Sequence, residues 1–331
     1  MTEETKSPAP RNSEKGESFD FNVIWDKYGM LLVFVVLFIV CSLSIDNFFT
    51  WINMKVLGMS VSVVGMVACG MVFCLACADL DLSVGAVVAC AGVVTAWVLK
   101  QTDSIALGIA GGLACGLFFG LLNGFFISVM KNNALIVTLA TQQVARGTAY
   151  TICAGVPIGI FNENFYLLGD SDIMGIPTPI IITVLCFIFF GFLLSNTVFG
   201  RNTLALGGNA EAARLAGVNV IKTKMTIFAL TGVVAAFAGI VLTSRLTSGQ
   251  PMNGMGLELN AISACVLGGV SLTGGIGKMS TVVAGVLILG TVENAMNLLN
   301  INTFTQYIVR GLILLAAINL DQYKQKLRRN G

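Results

Sequence analysis

The chain has 331 residues, 56% of them hydrophobic and 11% charged, with a formal net charge of +2 and no histidine. This composition excludes an ordinary soluble globular protein and indicates a polytopic membrane protein; without histidine, neither a His-based catalytic centre nor a His-ligated metal site can be built. The small net charge is uninformative, because in a membrane protein the position of Lys and Arg matters and their sum does not.

Residues 1–28 form a polar leader of mixed charge with Pro8 and Pro10, expected to be disordered and cytoplasmic. The apolar run at 29–45 is too long and too far from the terminus for a signal peptide, and no small-x-small cleavage site follows it, so it reads as an uncleaved first span. Runs able to cross a hydrocarbon core of about 30 Å give ten candidates: 29–45, 56–78, 82–99, 105–129, 134–153, 178–195, 224–243, 258–272, 278–296 and 304–320. The eighth is short and only a few residues separate the second from the third, which leaves a range of eight to eleven. Residues 29–321 thus form one transmembrane domain, followed by a basic cytoplasmic tail at 322–331. The expected fold is an all-α polytopic membrane protein with about ten transmembrane helices and both termini cytoplasmic.

Orientation follows from the basic residues. With the N-terminus inside, the cytoplasmic side collects Lys6, Arg11, Lys15, Lys27, Lys131, Arg201, Arg214, Lys222, Lys224, Lys278, Lys324, Lys326, Arg328 and Arg329, against Lys55, Lys100 and Arg245 outside. Such a bias is the positive-inside pattern. It places the polar segment 199–224 in the cytoplasm and the acidic loop at 163–172 outside.

Within the spans, Cys41, Cys69, Cys74, Cys77, Cys90, Cys115, Cys153, Cys186 and Cys265 read as small core fillers. Cys74-x-x-Cys77 has no second ligand pair and does not make a zinc or redox site. Asp79-Leu80-Asp81-Leu82-Ser83-Val84-Gly85 sets two carboxylates between the second and third spans. Asp81 is expected either to cap the third helix or, with Asp79 and Ser83, to belong to a helix break lining a pathway, since irregular backbone at membrane depth needs protein or a water-filled cavity over it. The fourth span carries Gly108, Gly112, Gly116, Gly120 and Gly124, an every-fourth-residue ladder that lets another helix approach closely. No internal repeat is evident, although inverted symmetry in transporters can be invisible in sequence.

Three charges fall within spans, where an unpaired charge is costly. Arg146 either faces a polar pathway or snorkels to the outer boundary. Glu293 and Arg310 flank a turn centred near Asn300, seven residues before and ten after it, or about 10 and 15 Å along antiparallel helices; a structural ion pair between them is expected.

The segment 199–224 is the polar one in this apolar chain. Asn209 is placed to cap a short helix with Glu211 in its first turn, and Gly217 to end it in the left-handed conformation. Ala212, Leu215 and Ala216 recur at helical spacing while Arg214 points elsewhere, giving a ridge suited to a groove on a soluble partner; a solvated connector is the plain alternative. Gly274-Gly275-Ile276-Gly277-Lys278 is not a phosphate-binding loop, because Leu272 stands where a Walker sequence needs Gly and Met279 where it needs Ser or Thr. It reads as a tight cytoplasmic turn.

Glu211-Ala212-Ala213, then Gly217 and Ile227, resembles the EAA motif through which permeases of ATP-binding-cassette importers dock on their ATPase, although Phe228, Ala229 and Leu230 replace the usual Leu-Pro. FGRNTLALGGNAEAARLAG, Asp81-Leu82-Ser83-Val84-Gly85 and LGGVSLTGGIGK are similar to the monosaccharide permeases of that class (ribose, galactose, xylose, arabinose). The likeness covers about residues 25–323 and is greatest with the L-arabinose branch, through MVACGMVFCLACADLDLSV, ILGTVENAMNLLNI and YIVRGLILLAAI. The resemblance implies a non-catalytic permease subunit in a bacterial inner membrane, importing a monosaccharide and expected to be L-arabinose. Its implied partners are an ATPase chain with two fused nucleotide-binding domains, an extracytoplasmic sugar-binding protein and a second permease copy. It implies no cofactor on this chain, with ATP and Mg held by the ATPase. Asn209, Glu211, Ala212, Ala213, Arg214, Gly217, Gly277 and Lys278 would serve the coupling. Another sugar within the family is the nearest alternative. A proton- or ion-coupled secondary transporter, with Glu293 and Asp79 as ion ligands, is a further one, and it leaves the Glu211 helix without a purpose.

Overall fold

The structure is a computed structural model that describes residues 21–330. Of the expected leader, residues 1–20 lie outside the described residues, as do Lys6, Arg11 and Lys15. Helix α1 (Phe21–Ser44) starts eight residues before the expected span, since no proline interrupts the run. There follow α2 (Trp51–Ala76), α3 (Val84–Thr102), α4 (Ile105–Gly124) with a π-helical turn at Phe125–Val129, and α5 (Ala134–Cys153). A connector holds α6 (Glu163–Asp170) and the two-residue strands β1 (Ile158–Gly159), β2 (Asp172–Ile173) and β3 (Ile176–Pro177). Then come α7 (Thr178–Asn196), α8 (Val198–Gly208), α9 (Ala210–Leu215), α10 (Val220–Arg245), β4 (Ser248–Gly249), α11 (Leu257–Leu267), α12 (Met279–Leu298) and α13 (Thr303–Asn330). The expected tail from residue 322 is therefore a continuation of α13 as far as Asn330. β1 pairs with β4 and β2 with β3, both antiparallel.

Among the described residues, six helices are long and apolar enough to cross a membrane: α2, α3, α4 with its π-helical turn, α7, α10 and α12. Gly29–Ser44, Leu257–Leu267 and Thr303–Asn319 are shorter apolar helices, and α5 carries Gln142, Gln143 and Arg146 within its twenty residues. The eighth expected span is cut short at Leu267, because Gly268-Gly269 ends the helix and Gly269 takes a positive φ of 81°.

Two four-helix units, α2–α5 and α10–α13, repeat the same packing. α10 packs on α3 and α4 as α2 packs on α11 and α12; α3 packs on α4 and α5 as α11 packs on α12 and α13; and α2 packs on α10. α2 and α10 run antiparallel, since Lys224 near the start of α10 meets Asp79 just past the end of α2, while Arg245 at the end of α10 donates to the Met59 carbonyl near the start of α2. This is an inverted duplication that the residue pattern conceals. It encloses α2 and α3, whose apolar windows are 78% and 72% buried, while α4 and α7 stay outside at 28% and 22%.

The glycine ladder serves two partners. Gly108 and Gly112 lie against Thr95 of α3, and Gly116, Gly120 and Gly124 lie on the backbone of α10 at Gly232, Phe228 and Met225. A Cβ on Gly116 would run into the Gly232 carbonyl, so glycine is needed there for contact at backbone distance.

Candidate translocation and coupling site

α2 stops at Ala76 and α3 begins at Val84, leaving residues 77–83 as irregular backbone between buried helices, with Ala78 at a φ of +63°. Polar groups of the stretch are satisfied from several sides. Thr138 of α5 donates to the Leu80 carbonyl (3.3 Å), and Cys77 Sγ donates to Asp79 Oδ2 (3.3 Å). Asp79, 9% exposed, forms an ion pair with Lys224 at 2.7 Å. Lys224 was expected only as one of the cytoplasmic basic residues. No local signal links the two positions, which are far apart in sequence.

Asp81 is not the cap of the third helix. The helix begins two residues later than expected, Ser83 occupies the cap position without a side-chain cap bond, and Asp81 Oδ1 instead accepts from Ser83 N (2.9 Å) and Ser83 Oγ (2.6 Å). Asn123 of α4 donates to the same Ser83 Oγ at 2.9 Å. The aspartate therefore shapes the turn leading into α3 from a position that is 1% exposed.

Arg146 is held by backbone carbonyls. Its Nη1 donates to the carbonyls of Pro251 (2.6 Å) and Asn253 (2.7 Å), in the second irregular stretch, which joins α10 to α11. Beside it, Gln142 donates to Glu258 (3.3 Å), a carboxylate 8% exposed whose other oxygen has no partner among the described residues. Glu258 went unremarked in the sequence because it sits at the edge of the short eighth run; a charge at that edge was the available signal. The first turns of α3 and α11 touch here, with Gly85 against Gly254 and Glu258.

At the end of the molecule that holds α8 and α9, Asn209 Oδ1 accepts from Ala212 N (2.9 Å) and begins α9. Gly217, at a φ of +90°, follows its end, with Val218 N donating to the Ala213 carbonyl (3.0 Å). Arg214 pairs with Glu211 at 2.6 Å, three residues on, and its guanidinium holds the Glu211 carboxyl below the usual range. Ala212, Leu215 and Ala216 are exposed, Leu215 at 74%, while Ala213 is buried. α8, which the sequence did not reveal, precedes this helix, with Thr197 Oγ1 accepting from Gly200 N (3.2 Å).

The glycine-rich turn comes to the same place. Gly274 (φ +84°) and Gly275 (φ +77°) lie on Gly207 and Gly208 of α8, and Gly275 N donates to the Ala76 carbonyl at 2.9 Å. Gly277 packs near Ala76, Val270 and Val72, and Lys278 is exposed at the start of α12 on the rim of an open groove against α7. Glu293 and Arg310 join α12 to α13, Nε lying 2.9 Å from Oε1 as an ion pair without hydrogen-bond alignment, and Arg310 also lies 5.6 Å from the Tyr307 ring centroid. Among the described residues, no group of three or more His, Cys, Asp or Glu side chains is arranged to hold a metal ion.

The family described as the branched-chain amino acid transport system / permease component matches residues 53–318. The chain is 62% identical to the L-arabinose transport system permease protein AraH of Escherichia coli (strain K12), over 98% of this chain and 97% of that protein. It is 48% identical to the L-arabinose ABC transporter permease protein AraH of Azospirillum brasilense, over 92% and 90%. It is 39% identical to the ribose import permease protein RbsC of Bacillus subtilis (strain 168), over 92% and 95%. No solved structure matches it significantly.

Proposed function

Because this chain belongs to the branched-chain amino acid transport system / permease component family, we propose that it is the membrane-spanning subunit of an ATP-binding-cassette importer for L-arabinose. The observation that carries the sugar is the full-length 62% identity to a permease named for L-arabinose, against 39% for one named for ribose. In this reading the chain sits in a bacterial inner membrane and crosses it ten times, through α1–α5, α7 and α10–α13, with both termini inside. Residues 29–321 are the transmembrane domain. An external binding protein delivers the sugar, and a second permease copy completes the pathway. An ATPase with two fused nucleotide-binding domains holds ATP and Mg.

The roles divide by position. The exposed Ala212–Leu215–Ala216 ridge, with Asn209, Glu211, Ala213, Arg214 and Gly217 setting its helix and Gly277–Lys278 beside it, is the docking surface for the ATPase. Asp79, Asp81, Ser83 and Arg146 hold the two irregular stretches against which the pathway opens and closes, and Glu293 with Arg310 is structural. Reconstituted vesicles with ATP inside and sugar-loaded binding protein outside test the reading. Uptake of L-arabinose that needs both, and survives an uncoupler, is the expected result. Uptake by the chain alone, abolished by the uncoupler, replaces it with a secondary transporter; dependence on both but with ribose preferred over L-arabinose changes only the sugar.

A further inference from the structure

We propose that the Asp79–Lys224 ion pair is the link through which movement of the Glu211 helix reaches the irregular stretch 77–83. The proposal rests on the importer reading and adds residues to it: Lys224 becomes a positioning residue that acts on the break through Asp79.

The corner between α9 and α10 is stiff. Gly217 N donates to the Arg214 carbonyl and Val218 N to the Ala213 carbonyl, both at 3.0 Å, and Asn219 Oδ1 caps α10 by accepting from Lys222 N at 2.9 Å. A displacement of α9 by a soluble partner is therefore passed to the first turn of α10 rather than absorbed between them. Lys224 directly follows that turn and holds Asp79 at 2.7 Å, with 21% and 10% of the two side chains exposed. A pair so sheltered resists separation far more than a surface pair does, because each charge left alone would be stranded at low dielectric.

A second tie acts beside it. Gly275 N holds the Ala76 carbonyl, the last of α2, while Gly274 and Gly275 rest on Gly207 and Gly208 of α8, next to Asn209. A Cβ on Gly207 would collide with the Ala76 carbonyl, so α8 and the end of α2 have no slack between them. From the break the path continues through Asp81 and Ser83 to the first turn of α3, where Gly85 meets Glu258 in the first turn of α11 and Gly254 in the connector before it. The one irregular stretch that follows α2 is thus held from the coupling segment at both Ala76 and Asp79.

A pair that merely neutralises two charges and a pair that transmits movement differ in the sugar carried per ATP hydrolysed. That ratio is measured in vesicles holding the whole complex with its ATPase and binding protein. Lys224→Gln is expected to copurify with the ATPase in the wild-type proportion while the ratio falls at least tenfold, Lys224→Arg to keep the ratio within about twofold, and Asp79→Lys with Lys224→Asp to recover part of the loss. An unchanged ratio in Lys224→Gln overturns the link, and so does loss of the ATPase from the purified complex. If Lys224→Gln does not accumulate, hydrogen exchange on the unaltered complex decides: residues 77–83 and 219–226 should change protection together between the nucleotide-free and vanadate-trapped states, and silence at 77–83 overturns the proposal. Should the wild-type complex show no ATP-driven uptake at all, it is the importer reading that fails, a result separable from a working complex with an indifferent Lys224.

Discussion

Asn53 of α2 and Asn294 of α12 exchange two hydrogen bonds, the Nδ2 of each donating to the Oδ1 of the other at 2.9 and 2.8 Å, with both side chains buried. Asn53 Nδ2 also donates to the Phe48 carbonyl at 2.7 Å, at the turn between α1 and α2. In lipid such a bond joins helices that have little hydrophobic reason to prefer each other over acyl chains. Asn294→Leu should leave the buried Asn53 Oδ1 without its donor and destabilise the protein by about 1–2 kcal/mol. The double change with Asn53→Leu should cost less than the sum of the single ones, measured as unfolding midpoints in detergent. Strict additivity would show that the pair does not act as a unit.

The α4–α10 contact leaves no room for side chains at its centre. Gly116→Val should abolish accumulation of folded protein, because the added atoms meet the Gly232 carbonyl and Ala236 Cβ. Gly147→Ala on α5 is the matched control, since a Cβ there meets nothing within 4 Å; it should fold as the wild type does. Size-exclusion profiles of the two variants check this, and equal profiles would refute the packing argument.

Gly217→Val should strain a backbone held at a φ of +90° by about 1–2 kcal/mol, and Glu211→Lys should both lose the Arg214 pair and oppose the dipole of α9. Both changes lie on an exposed segment, so both variants should insert in the membrane. Each should lose at least tenfold in ATP hydrolysis stimulated by loaded binding protein. Normal stimulation in both would remove α9 from the docking surface.

Glu293 and Arg310 should tolerate exchange better than loss. Removing either partner leaves an unpaired charge in the membrane, about 2–4 kcal/mol on insertion scales, so Glu293→Leu and Arg310→Leu should each reduce folded protein several-fold. Glu293→Arg with Arg310→Glu should restore it in part, read by fluorescence of a fused reporter. Single variants that accumulate normally and alter only sugar uptake would move the pair into the pathway.

Much that is local was legible. The Asn209 cap and the Gly217 turn depend on residues within a few positions of one another, and both stand where the pattern put them. The Arg214–Glu211 pair was not anticipated, although a guanidinium three residues from a carboxylate on an exposed turn is well placed to find it. Asp81 was misplaced by the two-residue delay in the start of α3, and helix ends are the least secure part of any pattern. The glycine ladder announced a close helix contact without naming α3 and α10 as the partners.

From the sequence alone came the membrane setting, the family and the polar segment 199–224 with its capped helix, because long apolar runs and a helix cap are properties of consecutive residues. Which apolar helices lie inside came only from the tertiary structure: the apolar windows of α2 and α4 have the same mean hydropathy of 2.2, yet 78% of one and 28% of the other is buried. Lipid and protein interior are alike in polarity, so hydropathy cannot sort them, and close packing does. The inverted pairing of α2–α5 with α10–α13 and the meeting of Asp79 with Lys224 belong to the same class. They are set by how helices stack in three dimensions, and no short-range pattern along the chain encodes them.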